Sequence, residues 1–141
     1  MDFDVTPRSG VGVLRFGMTT DEVRAAMAVP NESFYKSADS AFPTDSFLED
    51  AVHVFYRQPG VCEAVEFYSP SRVYLQRVNL LNEPYENVKR FLGGLDKQLE
   101  EDEYGLTSRN LGISIYAPSH REHPHSPTES VLVFEDGYYD R

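Results

Sequence analysis

Residues 51–68, AVHVFYR-QPG-VCEAVEFY, hold two alternating segments separated by a turn. Val52, Val54 and Tyr56 recur at every second position of the first segment, and Val61, Val65 and Phe67 mark one side of the second. A period of two is the mark of a half-buried strand, because successive side chains leave opposite faces of the backbone. Gln58-Pro59-Gly60 between them is a turn signal: proline presets its own φ and glycine accepts the positive φ that tight turns require. The reading is a hairpin, and residues 73–78, rich in β-branched and aromatic side chains, add a third strand to the same meander.

Upstream, Gly17-Met18-Thr19-Thr20-Asp21-Glu22-Val23 predicts a helix start. Thr19 can accept from the backbone three residues on while Glu22 reaches back, forming a capping box. Val23, Ala26 and Met27 supply a narrow apolar stripe, and Pro30 ends the helix by driving Val29 out of the helical region. Residues 31–50 mix Asn, Ser, Pro and Asp with Phe34, Tyr35, Phe42 and Phe47, and read as a short strand followed by a long loop. Downstream, a second helix starts near Pro84, with Tyr85, Val88, Leu92, Leu95 and Leu99 on one face and Gly93-Gly94 dividing it. Residues 103–108, 112–117 and 129–134 have strand character, and Pro118, Pro124 and Pro127 hold the intervening segment as a loop.

The two halves align. Residues 17–27 (GMTTDEVRAAM) set over 82–92 (NEPYENVKRFL) place Val23 on Val88 and Met27 on Leu92, after which 52–56 falls on 113–117 and 64–67 on 130–133. The expected architecture is therefore α+β: one domain, residues 1–141, of two tandem helix-plus-antiparallel-strand repeats, about 11–78 and about 80–140. Together they are expected to form one curved antiparallel sheet with the helices packed on one face.

Composition narrows the function classes. The chain has 141 residues, 40% of them hydrophobic, with nine Phe and nine Tyr, so it has apolar surface enough to fold. No run approaches the roughly 20 apolar residues of a membrane helix, and the start, MDFDVTPRSG, has no basic and apolar leader pattern; a cytoplasmic protein with no membrane partner is expected. Cys62 is the single cysteine and reads as a small apolar strand residue. Thirteen basic against 23 acidic side chains give a net charge of −10, which disfavours nucleic acid as a partner and suits a basic protein.

No arrangement points to catalysis. The run Glu100, Glu101, Asp102, Glu103 has no spacing that holds two carboxylates about a pocket, and Gly93-Gly94 lacks the lysine and context of a phosphate loop. No cofactor is expected. His120, His123 and His125 lie within six residues and are the one alternative for a metal, although Pro124 and Pro127 do not present them on one face of a regular element. The distinctive feature is tyrosine beside carboxylate. Tyr56, Tyr68 and Tyr74 lie on successive expected strands, Glu66 lies near them, and Tyr138 and Tyr139 stand between Asp136 and Asp140. These eight residues are the expected partner-binding set, since tyrosine and carboxylate together offer contact area, hydrogen bonding and attraction to Lys or Arg.

Gly17, Met18, Thr19, Glu22, Val23 and Pro30, with Val52, Val54, Tyr56, Val65 and Phe67 behind them, resemble the beta-lactamase inhibitor protein fold. Relatives of that fold include the small outer-membrane assembly lipoprotein of the beta-barrel insertion machinery. The whole chain also resembles uncharacterised actinobacterial and Bacillus-type proteins that carry LGISIY (here 111–116) and end in GYYD (here 137–140), a kind suspected of toxin neutralisation. The resemblance implies a doubled fold, a bacterial source and no catalytic residue. The lipoprotein's signal cysteine and the secreted inhibitor's disulfides have no counterpart here. The expected function is a non-catalytic protein-binding domain of inhibitor or immunity type that neutralises a basic toxin or enzyme. The alternatives are a small-ligand or metal-binding domain and a structural or assembly module.

Overall fold

The hairpin at the middle of the chain is also the middle of its larger sheet. In a computed structural model, which describes residues 2–140, β6 (Val52–Arg57) and β7 (Val61–Tyr68) pair antiparallel. Gly60 closes the turn at φ +106°, a conformation open to glycine and costly for other residues. The elements before it are β1 (Asp2–Thr6), β2 (Gly10–Val11), β3 (Leu14–Arg15), helix α1 (Thr20–Met27), β4 (Glu32–Phe34) and β5 (Thr44–Phe47). After it come β8 (Arg72–Leu75), β9 (Val78–Asn79), helix α2 (Tyr85–Leu95), β10 (Glu100–Asp102), β11 (Gly105–Ser108), β12 (Ile113–Tyr116) and β13 (Ser130–Phe134).

The strands form two sheets. One has eight strands in the order β10-β11-β12-β13-β7-β6-β5-β4, two meanders joined where β13 pairs with β7. The other has five, in the order β3-β2-β1-β8-β9, with β1 and β8 parallel. This corrects the expected α+β architecture of helix-plus-strand repeats making one curved sheet with helices on one face. The described residues are mostly β, with two α-helices among them, and a second sheet takes a large share of the covering role. The physical reason is a non-local pairing: the segment 73–78, expected as a third strand of the central meander, supplies instead most of β8 (Arg72–Leu75), whose residues 72–74 pair with the N-terminal segment 2–4. Parallel partners need a long connection, so nothing local in either segment announces the match.

Along the eight-stranded sheet one face is apolar. Val52, Val54, Val65, Phe67, Val131, Val133, Ile113, Ile115 and Leu106 are all buried and stand in register across five strands. Against them lie Phe3, Val5, Val11, Leu14, Val73 and Leu75 from the five-stranded sheet. The Phe3 and Phe67 rings meet at 4.7 Å between centroids, tying the two sheets together; burying side chains of this size contributes about 1.5–3 kcal/mol each. The register between β6 and β7 passes from Phe55–Ala64 to Tyr56–Cys62, skipping Glu63. Strict alternation from Phe67 and Val65 would send Glu63 into the core. This bulge keeps it half-buried at the surface and buries Cys62 in its place.

The helices complete the cover at the two ends. The capping box of α1 forms as its sequence predicts, with Thr19 Oγ1 accepting from Glu22 N at 3.2 Å and Glu22 Oε1 accepting from Thr19 N at 3.1 Å. Its Val23 and Met27 are buried. Helix α2 buries Tyr85, Val88 and Leu92, and runs through Gly93-Gly94 to Leu95 without breaking there. Among the described residues no helix is long and apolar enough to cross a membrane.

The covered face contains a carboxylate. Asp45 on β5, in the segment read as loop, is fully buried. It accepts from Arg24 Nη2 at 2.8 Å and Nε at 3.0 Å, from Tyr56 Oη at 2.8 Å and from Ser33 Oγ at 2.8 Å. Burial pushes its pKa up, but the donors from Arg24, Tyr56 and Ser33 outweigh burial and hold it below the ordinary aspartate value. Asp96 and Glu101 are likewise held low, by Ser108, Gln98 and Asn110 for the first and by Tyr85 and Lys89 for the second, each against the effect of burial. A carboxylate with a lowered folded pKa stabilises the fold above its unfolded value, near pH 4, and that stability is lost as pH falls through the folded value. Acid unfolding is therefore expected to set in below about pH 4. Asp45→Ala, which leaves Arg24, Tyr56 and Ser33 without their acceptor, should cost about 2–3 kcal/mol in denaturant melts at neutral pH, less than a fully buried pair because Arg24 is partly exposed. It should also flatten the acid limb of the stability curve.

Candidate functional site

The other face of the eight-stranded sheet is open. Alternation puts Glu66, Tyr68, Leu132, Ser130, Ser114, Tyr116 and Thr107 on it, opposite the buried row. Over β11, β12, β13 and the end of β7 this face is hollowed into a groove of about 470 Å3. Its rim and floor include Glu66, Asp102 and Glu129, the tyrosines Tyr68, Tyr104, Tyr116 and Tyr139, and the small residues Gly105, Ser114 and Ser130. No lysine or arginine is among the described residues that line it. Gly105 is required there: a Cβ at that position would stand 1.9 Å from the Ile115 carbonyl oxygen, so the backbone of β11 runs too close to β12 for any side chain.

Three groups link across the groove's β7 edge. His53 Nε2 and Tyr68 Oη share a hydrogen bond at 2.9 Å, and His53 Nδ1 stands 3.5 Å from Glu66 Oε1. The His53 and Tyr68 rings meet edge-on at 4.9 Å, and Phe34 meets His53 from the far side at 5.3 Å. His53 thus fixes Tyr68 and touches Glu66 at once, because β6 and β7 pair His53 directly opposite Glu66. At the other edge, Tyr139 shares a hydrogen bond with Ser114 Oγ at 2.9 Å and packs on Phe134 and Tyr138. The Arg109 guanidinium sits over the Tyr139 ring at 5.4 Å, and Lys36 sits over Phe55 at 4.5 Å. Cations already rest on aromatic rings of this face at both its ends.

The eight expected partner-binding residues separate into groups. Glu66, Tyr68 and Tyr139 line the groove. Asp136, Tyr138 and Asp140 gather with Arg109 and Phe134 in an adjoining hollow of about 290 Å3 at the C-terminal end, where Arg8 approaches Asp136 at 4.0 Å and Arg109 approaches Asp140 at 3.5 Å. Tyr56 faces the core, half-buried, with its hydroxyl spent on Asp45. Tyr74 belongs to β8 in the other sheet. The histidines of the alternative metal reading do not converge. His120 is buried, stacked on Tyr85 at 4.4 Å with Nε2 bonded to the Asp102 carbonyl, while His123 and His125 are exposed. Among the described residues no three His, Cys, Asp or Glu side chains are placed to hold a metal ion.

Sequence reasoning missed Asp102, Tyr104, Tyr116 and Glu129. A signal for Tyr116 exists in its phase, since it alternates with Ile113 and Ile115 and must point away from them. Asp102 and Tyr104 belong to a tight connection in which Asp102 Oδ1 accepts from the Tyr104 and Gly105 amides at 2.8 and 3.0 Å. Comparison with protein-family models, with curated proteins and with solved structures finds no match to this chain.

Cys62 is placed opposite to a nucleophile. It is fully buried, and burial, with Glu135 adding to it, pushes its thiol up to about 12. Reactivity belongs to the thiolate, so the native protein should show no labelling by a disulfide reagent at pH 8 over a time in which the denatured chain titrates one thiol. Rapid labelling of the folded protein would contradict this placement.

Proposed function

We propose that this chain is a non-catalytic protein-binding domain, most concretely an inhibitor or immunity-type protein, that receives a basic toxin or enzyme on the open face of its eight-stranded sheet. The observation that carries the reading is the groove lining: three carboxylates and four tyrosines, with no basic side chain among the described lining residues. Tyr104, Tyr116 and Tyr139 are 57%, 45% and 43% exposed, an amount of aromatic surface that a free solvated face has no use for. Tyrosine supplies contact area at low entropic cost and the carboxylates supply attraction, the combination that concentrates binding energy at interfaces. The net charge of −10 adds long-range steering toward a basic partner.

Calorimetric titration with an oligolysine peptide and an oligoglutamate peptide tests this. The basic peptide is expected to bind, to lose affinity as salt rises past about 0.15 M, where the Debye length falls to ~8 Å, and to lose at least about tenfold in affinity on Glu129→Lys. Glu129 is exposed, so its reversal leaves the core intact. Equal binding of the two peptides, or indifference to Glu129→Lys, overturns the reading.

A further inference from the structure

The strand register inside the groove defines a narrower feature. Tyr68 on β7 pairs with Ser130 on β13, and Ser130 pairs with Tyr116 on β12. Two tyrosines therefore stand on the same face two strands apart, with a serine between them. Neighbouring strands lie about 4.8 Å apart, so the two rows are separated by roughly 9.6 Å. A cation midway lies about 5 Å from either side, inside the ~6 Å reach of a cation–ring attraction. The next row of the floor is Glu66, Leu132 and Ser114, which sets a carboxylate beside the Tyr68 end of the gap. Glu129, adjacent to Ser130 and held by its amide to the Tyr116 carbonyl at 2.8 Å, sets another in the groove wall.

We infer that the gap between Tyr68 and Tyr116, over Ser130, is the seat of one basic side chain of the protein partner, with Glu66 and Glu129 as its counter-charges and His53 as the residue that positions Tyr68. This rests on the reading of the groove as a basic-protein site and names the point in it that discriminates. Charge complementarity selects the occupant: two carboxylates flank the gap, and no lysine or arginine is among the described lining residues. The cations held nearby, Lys36 on Phe55 of the sheet and Arg109 on Tyr139 of the C-terminal turn, lie 4.5 and 5.4 Å from those rings. Ser130 is the reason the seat is a gap: a large side chain in the middle row would fill it. His53 engages the Tyr68 hydroxyl from β6, on the opposite side of β7 from Ser130.

The experiment is a pair of titrations on the full chain. In the first, followed by amide shifts, the probes are Nα-acetyl-lysine methylamide and its neutral norleucine isostere. The lysine probe is expected to move the Tyr68, Tyr116, Glu129 and Ser130 signals, and the norleucine probe to leave them in place. In the second, oligolysine affinity is measured on variants whose melting points match the parent. Tyr116→Ala should weaken binding by about three- to fivefold, Tyr116→Phe, which keeps the ring, should stay within about twofold, and Ser130→Leu, which fills the gap, should match the loss of Tyr116→Ala. His53→Ala should weaken binding in the same sense, with the Tyr68 ring signals broadened or shifted, a change a purely structural role in the core would not give. Shifts of equal size with norleucine, or oligolysine affinity unchanged by Tyr116→Ala and Ser130→Leu while Glu129→Lys still abolishes it, overturn the seat and leave the groove reading standing. Indifference to Glu129→Lys as well removes both.

Discussion

A sheet of eight strands has two faces, and the fold is organised by the need to cover one of them. β7 carries this most directly. It is bonded on both sides, to β6 and β13, and its Phe67 meets Phe3 of the second sheet. Everything that covers the apolar row, the parallel β1–β8 pair in the middle and the two helices toward the ends, is held by that face alone. The other face is left open by the described elements.

The covered face also sets the chain's electrostatic weak point. Asp45 and Tyr56 lie among apolar neighbours, and the carboxylate stays ionised because Arg24 from α1, Tyr56 from β6 and Ser33 from β4 all donate to it. One buried acid thereby joins a helix to three adjacent strands. Such a cluster specifies how the helix sits more than it adds to stability, since desolvating the charge offsets much of the attraction. The open face is built on the opposite rule: Asp102 and Glu129 lie at its exposed surface, and Tyr104, Tyr116 and Tyr139 are exposed as well.

Alternation along a strand tells which residues share a face, and for 61–68 it places Glu66 and Tyr68 together correctly. It fails at Glu63, where one extra residue inverts the phase, and the reading of Tyr56 as a surface tyrosine fails because its hydroxyl found a buried acceptor 11 positions earlier in the chain. A single meander would set Tyr74 beside Tyr68, and the parallel match with β1 carries it to the other sheet. The groove shares this origin: its lining comes from β7, β11, β12, β13 and the turn at Asp102, segments whose nearness depends on β13 pairing with β7 across more than 60 residues of chain.

The sequence by itself determined the local pieces: the capped helix at Thr19, the hairpin about Pro59-Gly60, the buried face of Tyr85, Val88 and Leu92, and the net acidic charge. These follow from steric and hydrogen-bonding preferences acting within a few residues. Only the tertiary structure decided that there are two sheets, that Asp45 is a core residue, that His53 bridges Tyr68 and Glu66, and that Tyr116 faces Tyr68 across Ser130. Each of those depends on strands distant in sequence becoming neighbours, and that choice is made by the burial of a whole face, a property that no short stretch of residues possesses.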